Sequence, residues 1–142
     1  WGAEKAEFLL APSEAQPLLP VRHAASGGEL ARASLALELA LGGADDTPVF
    51  AFDEVDQGIG GRAADALARK LRQLSEGHQV IVVTHLPQLA ARAHRQFAVQ
   101  KEGGKVKVRP VEGEERLREI ARMAAGERAA EALEFARRLL EE

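Results

Sequence analysis

The chain has 142 residues, 46% of them hydrophobic, which suits one globular domain with a core of its own. A net charge of -3 provides no global basic field, so any contact with DNA is local or lies elsewhere. The absence of cysteine removes disulfides and thiolate metal sites and fits a reducing cytoplasm, and apolar runs such as Val80 to Val83 fall far short of the ~20 residues that span a bilayer.

At the start, Trp1 stands where a methionine would, with no charged segment leading into an apolar one; this is expected of a piece of a longer chain, not of a secretory precursor. Glu7 to Leu10 reads as a short strand, after which Pro12, Pro17 and Pro20 interrupt regular structure up to about Arg22. From Ser26 to Leu41 the positions of Leu30, Leu37 and Leu41 follow a helical period, and Gly42 and Gly43 end it. Val49 to Phe52 is apolar without alternation and bounded by Pro48 and acidic residues, the pattern of a central parallel strand buried on both faces. Leu67, Leu71 and Leu74 mark a second helix stopped by Gly77, and Val80 to Val83 a second buried strand, so strand, helix and strand make a parallel βαβ unit. Pro87 opens a short helix to about His94. Phe97 to Lys101 and Lys105 to Val111 flank a Glu-Gly-Gly turn as a hairpin, and helices over Glu114 to Met123 and Glu127 to Leu140, separated by Gly126, close the chain. Arg116, Arg118, Arg122 and Arg128 cluster there, as a solvated helix face or a local basic patch.

Three places can carry chemistry. Ser26-Gly27-Gly28-Glu29 has the spacing of a capping box, yet two glycines in a first turn cost a helix ~1 kcal/mol each relative to alanine. Glycines there also open the positive end of a helix to a phosphate, so capping and anion binding stand side by side. Asp53 and Glu54 follow a strand at the edge of the sheet where open α/β folds bind ligands. Asp53 is placed to hold Mg²⁺, which takes one or two carboxylates plus phosphate and water, and Glu54 to orient or deprotonate a water; the alternative is that both acids cap the following turn. Thr84 and His85 end the other strand at the same edge. A lone histidine serves structure more often than chemistry, but its place beside the acids adds the functional alternative. No Gly-x-x-x-x-Gly-Lys-Ser/Thr loop occurs, and the glycines at 58, 60 and 61 do not complete a dinucleotide fingerprint.

The order of these elements resembles the second half of ABC-type ATPase heads, with a signature motif, a Walker B strand and a switch histidine. Phe52-Asp53-Glu54-Val55-Asp56, Gly58-Ile59-Gly60-Gly61 and Val83-Thr84-His85-Leu86-Pro87-Gln88 narrow the likeness to the RecN family, bacterial relatives of the SMC proteins. It extends from about Glu7 to Gly126. The resemblance implies an α/β fold over residues 1–142, the C-terminal lobe of a P-loop ATPase head, with parallel strands, flanking helices and a β-hairpin. The N-terminal lobe with its Walker A loop, and the coiled coil between the lobes, would lie outside it. The resemblance also implies ATP and Mg²⁺ as cofactors, two heads pairing across two ATP molecules, and hydrolysis only in the complete protein, with this piece inactive alone. Asp53 would help hold Mg²⁺, Glu54 would act on the attacking water, and His85 would sense the γ-phosphate. Ser26, Gly27 and Gly28, with Glu29 beside them, would meet the γ-phosphate of the opposite head. The resemblance further implies repair of DNA double-strand breaks, DNA contact through the complete protein, and a bacterial cytoplasmic, nucleoid-associated setting without membrane attachment. Two departures stand out: Ala25 replaces the leucine common before Ser-Gly-Gly in transporters, and Gly60 stands where many relatives have the D-loop aspartate, leaving Asp56 or the backbone as substitutes. The alternative is a non-catalytic interaction module derived from an SMC-like or RecF-like head, against which the presence of Glu54 counts.

Overall fold

A computed structural model describes residues 2, 6–11, 15–41, 47–125 and 129–141. Strands β1 (Leu9–Leu10) and β2 (Leu19–Pro20) pair antiparallel, and a four-residue helical turn, α1 (Val21–Ala24), follows directly. This stretch is more regular than its prolines imply, because the Val21 N–H donates to the Phe8 carbonyl at 3.0 Å and holds the two ends together. Helix α2 (Gly27–Leu41) starts where the Ser-Gly-Gly-Glu pattern places it. Its packed face is not the expected one: Gly28 and Leu35 are buried, with Ala31 and Leu39 beside the core, whereas Leu30, Leu37 and Leu41 face outward. Leucine and alanine surround this helix, so periodicity alone does not single out its buried stripe.

Strand β3 (Val49–Phe52), helix α3 (Gly61–Leu74) and strand β4 (Gln79–Val82) form the expected parallel unit, with Phe50 opposite Val80 and Phe52 opposite Val82. Ala64, Leu67, Ala68, Leu71 and Leu74 turn one face of α3 into the first core, where they meet Leu35, Phe52, Val55 and Leu89. The helix ends at Leu74 and is capped by Ser75, whose hydroxyl donates to the Arg72 carbonyl at 2.7 Å; Gly77 lies further along that turn. The expectation of strands buried on both faces fails. Phe52 is buried and Phe50, Val80 and Val82 pack against the core, but Val49, Ile81 and Val83 are 43%, 51% and 62% exposed. The core residues of α2 and α3 lie on one side of this pair, and among the described residues β3 and β4 have no further strand partner, so neither is central.

Helix α4 (Pro87–Arg92) joins two cores, giving Leu89 to the first and Ala90 to the second, where Leu117, Ile120, Ala121, Ala132 and Ala136 gather. Strands β5 (Gln96–Glu102) and β6 (Lys105–Val111) turn at Gly103-Gly104, both with positive φ (54° and 79°), as a two-residue hairpin turn requires. Gln96, Ala98 and Val111 are buried on one side, while Phe97, Val99, Val106 and Val108 stay exposed on the other. Helices α5 (Gly113–Ala125) and α6 (Ala129–Glu141) complete the second core. Gly42, Gly43, Gly126, Glu127 and Arg128 lie outside the described residues. No helix among the described residues is long and apolar enough to cross a membrane.

Of the arginines of α5, Arg116 joins two helices and Arg122 makes an ion pair within α5, while Arg118 is exposed. Arg116 donates through Nη2 to the carbonyls of Ala90, Ala91 and Ala93 at 3.0, 2.9 and 2.7 Å, satisfying the end of α4, and burial pulls its pKa below the ordinary guanidinium value. Arg122 pairs with Glu119, whose carboxyl it holds below the ordinary range by hydrogen bonding. Arg116→Met, which keeps the apolar stem and removes the donors, should lower stability by about 1–3 kcal/mol in urea unfolding. An unchanged midpoint would remove Arg116 as the link between α4 and α5.

Candidate functional site

The N-terminus of α2 forms the capping box its sequence spells. The Ser26 N–H donates to Glu29 Oε2 at 2.7 Å, and the Glu29 N–H donates to Ser26 Oγ at 3.3 Å. The Ser26 main-chain N–H, and after it the Ser26 hydroxyl, hold the Glu29 carboxyl below its ordinary pKa. Capping is thus made, and it leaves Ser26 and Gly27 exposed.

The two glycines answer to a neighbour that is remote in sequence. A Cβ at Gly28 would lie 2.7 Å from the Glu54 carbonyl oxygen and 2.9 Å from Gln57 Cβ, and a Cβ at Gly27 would lie 2.7 Å from Glu54 Oε2. The loop after β3 therefore rests directly on the first turn of α2. Arg32, one turn further along α2, donates through Nη1 to the carbonyls of Val55 and Gln57, both at 3.0 Å, while Val55 is fully buried in the core. Within the loop the Glu54 N–H donates to Asp53 Oδ1 at 2.9 Å and the Gln57 N–H to the Glu54 carbonyl at 2.9 Å. Glu54 holds a φ of +57°, in the left-handed region that costs a residue with a side chain of order 1–3 kcal/mol. The surrounding contacts supply what holds it there.

Asp56 connects this loop to the end of β4. Its carboxylate is buried, and Oδ2 accepts from Thr84 Oγ at 2.5 Å, from the His85 main-chain N–H at 3.1 Å, and meets His85 Nδ1 at 3.1 Å. Thr84 Oγ in turn accepts from the Leu86 N–H at 3.0 Å, just ahead of α4. Asp53, Glu54, Asp56, Gln57, Val83, Thr84 and His85 line one open cleft of about 300 Å³.

Asp53, Glu54 and His85 thus share one cleft, Gly27 and Gly28 sit against Glu54, and Ser26 and Glu29 pair with each other in the capping box. Sequence reading assigned no contact to Arg32 and considered Asp56 only as a substitute for the D-loop aspartate. The signal for Asp56 was its place three residues after Asp53, but nothing local points to Thr84 and His85 as its partners. Among the described residues no group of three or more His, Asp or Glu side chains forms a metal cage. Asp53, exposed at the cleft with Oδ1 accepting from the Glu54 main-chain N–H, fits a cation held by one carboxylate together with phosphates and water, the usual Mg²⁺ arrangement.

The architecture is that of the SMC ATPase heads, an ABC-type ATPase fold. A structure from work on ATP-driven dimerization and DNA-stimulated activation of SMC ATPases superposes with a TM-score of 0.60 over 88% of this chain and 76% of that one, at 22% identity. The Smc head domain from Pyrococcus yayanosii gives a TM-score of 0.64 over 83% of this chain and 22% of that one, at 24% identity. The family model for the RecF/RecN/SMC N terminal domain matches residues 22–107, and the chain belongs to this family. It is 48% identical over 134 residues to the DNA repair protein RecN of Streptomyces coelicolor, covering 92% of this chain and 23% of that protein. It is 52% identical over 129 residues to RecN of Deinococcus radiodurans, covering 88% of this chain and 22% of that one. The chain therefore spans less than a quarter of the length of these relatives.

Close packing against Glu54 separates the two glycines. Gly28→Ala should lower stability by about 1–3 kcal/mol, because its methyl group meets main chain. Gly27→Ala should leave stability nearly unchanged, since the Glu54 carboxylate swings aside. Thermal unfolding of both variants checks this, and equal effects would reject the contact as the reason for Gly28.

Proposed function

We propose that the chain is the C-terminal lobe of an ATP-hydrolysing head in a RecN-type protein that repairs DNA double-strand breaks. The observation that carries this reading is the convergence of Asp53, Glu54 and His85 on one cleft, with Gly27 and Gly28 packed against Glu54 and with Ser26 and Gly27 exposed. Membership of the family and the likeness to RecN proteins support the same pathway.

The substrate is ATP, whose γ-phosphoryl group passes to water, and bound Mg²⁺ would neutralise charge on the phosphates. Asp53 contributes a carboxylate oxygen to that cation. Glu54 orients the attacking water and accepts its proton, a role that suits a side chain fixed by its main chain but exposed at the tip. His85 offers Nε2 to a γ-phosphate oxygen, because Nδ1 is engaged by Asp56. Ser26, Gly27 and Gly28 present hydroxyl and main-chain N–H groups to the γ-phosphate of nucleotide bound by a second head, and the helix dipole favours that charge. The uncovered apolar face of β3 and β4, with Val49, Ile81 and Val83, suits packing against the N-terminal lobe, which carries the phosphate loop. DNA contact belongs to the complete protein, in keeping with the net charge of -3 here, and the setting is the bacterial cytoplasm at the nucleoid.

In the full-length protein Glu54→Gln should lower turnover by about 10²–10⁴-fold while ATP affinity survives, because the shape is kept and the base is lost. Asp53→Ala should instead weaken Mg²⁺-dependent ATP binding and hydrolysis together. Nucleotide affinity and single-turnover hydrolysis of the two variants distinguish these roles. Near-normal hydrolysis by Glu54→Gln would favour a non-catalytic interaction module.

A further inference from the structure

Asp56 has a partner set of which the roles above use only the contact with His85 Nδ1. It is a carboxylate buried to 3% exposure that spends one oxygen on Thr84 Oγ, the His85 main-chain N–H and the His85 ring. The ring itself is three-quarters exposed, so no packing fixes it, and an imidazole on an exposed strand end turns about χ1 and χ2 unless something holds one nitrogen. We propose that Asp56 is a positioning residue for ATP hydrolysis: it holds the His85 main chain and Nδ1 so that Nε2 faces the nucleotide.

The geometry supports a link as well as an anchor. Asp56 lies two residues after Glu54 in a loop that Arg32 and the buried Val55 fix to α2. Any shift of that loop moves the carboxylate, and with it the histidine. One side chain thus sets the spacing between the water-directing Glu54 and the phosphate-sensing His85. Its hydrogen bonds tie the end of β3 to the end of β4 beyond the last ladder bond, where the Val83 N–H donates to the Phe52 carbonyl at 3.0 Å.

The inference rests on the function proposed for His85, and a double-mutant cycle in the full-length protein separates the two. Asp56→Asn, His85→Ala and the pair are compared in kcat and in KM for ATP. Asp56→Asn should lower kcat by about 10–100-fold, as loss of a residue that orients a functional histidine does, with KM unchanged. In the His85→Ala background it should cost nothing more, because the group through which it acts is gone. Additive losses, or a loss that falls on KM, would make Asp56 a structural part of the loop and overturn the inference while leaving His85 in place. A His85→Ala protein with wild-type kcat would overturn the role of His85 and this inference with it. Urea unfolding of Asp56→Asn provides an arm independent of the kinetics: a kcat loss in a protein that stays folded at the assay temperature supports the positioning role, and a loss that only follows the unfolded fraction contradicts it.

Discussion

The seating of the loop Asp53 to Gln57 on the first turn of α2 is the constraint from which the rest of the site follows. Gly28 admits the Glu54 carbonyl where any larger residue would stand in its place, Arg32 binds the carbonyls on either side of Asp56, and Val55 fills the core below. With the main chain held at these points, Glu54 keeps a positive φ that an unsupported loop would relax. The same seating turns the Asp56 carboxylate inward to Thr84 and His85. The segments that follow β3 and β4 thereby meet at one cleft, and the start of α2 packs against the loop from behind.

Much of this arrangement was legible in the residues. The βαβ unit follows from the apolar run Val49 to Phe52, the leucines of α3 and the run beginning at Val80, and the hairpin from Gly103-Gly104. The capping box of α2 was legible because its two hydrogen bonds lie three residues apart. What the sequence hid is long-range. The buried face of α2 depends on what packs there, and Leu35 rather than Leu30 or Leu37 meets the core although all carry the same side chain. Gly28 is glycine where the Glu54 main chain packs on it, and that approach, from 26 positions away, has no local trace. The Asp56 pairing spans 28 and 29 residues and was out of reach for the same reason.

The apolar runs predict strands buried on both faces, whereas Val49, Ile81 and Val83 are exposed among the described residues. The sequence pattern was sound in its own terms, because a run without alternation is the signature of a strand meant to be covered twice. The apolar sheet face opposite a well-formed core, together with the outer face of the hairpin at Phe97, Val99, Val106 and Val108, is exposed apolar surface of the kind that marks an interaction site. The arginines of α5 make the complementary point. What looked like a possible basic patch is used, at Arg116 and Arg122, to finish a helix end and to pair with Glu119.

The central claim is that Ser26 to Gly28 act on the nucleotide of one head while Glu54 acts on that of the other. Mixing two full-length variants tests it most directly: Ser26→Arg, which blocks the first turn of α2, and Glu54→Gln, which removes the base. Each alone should be inactive, since every site in either homodimer has lost a component. In the mixture the mixed dimers contain one site with both components intact, so ATP hydrolysis should return. A mixture as inactive as its parts, when sedimentation shows that mixed dimers form, would contradict the assignment of Ser26 to Gly28 and Glu54 to different nucleotides.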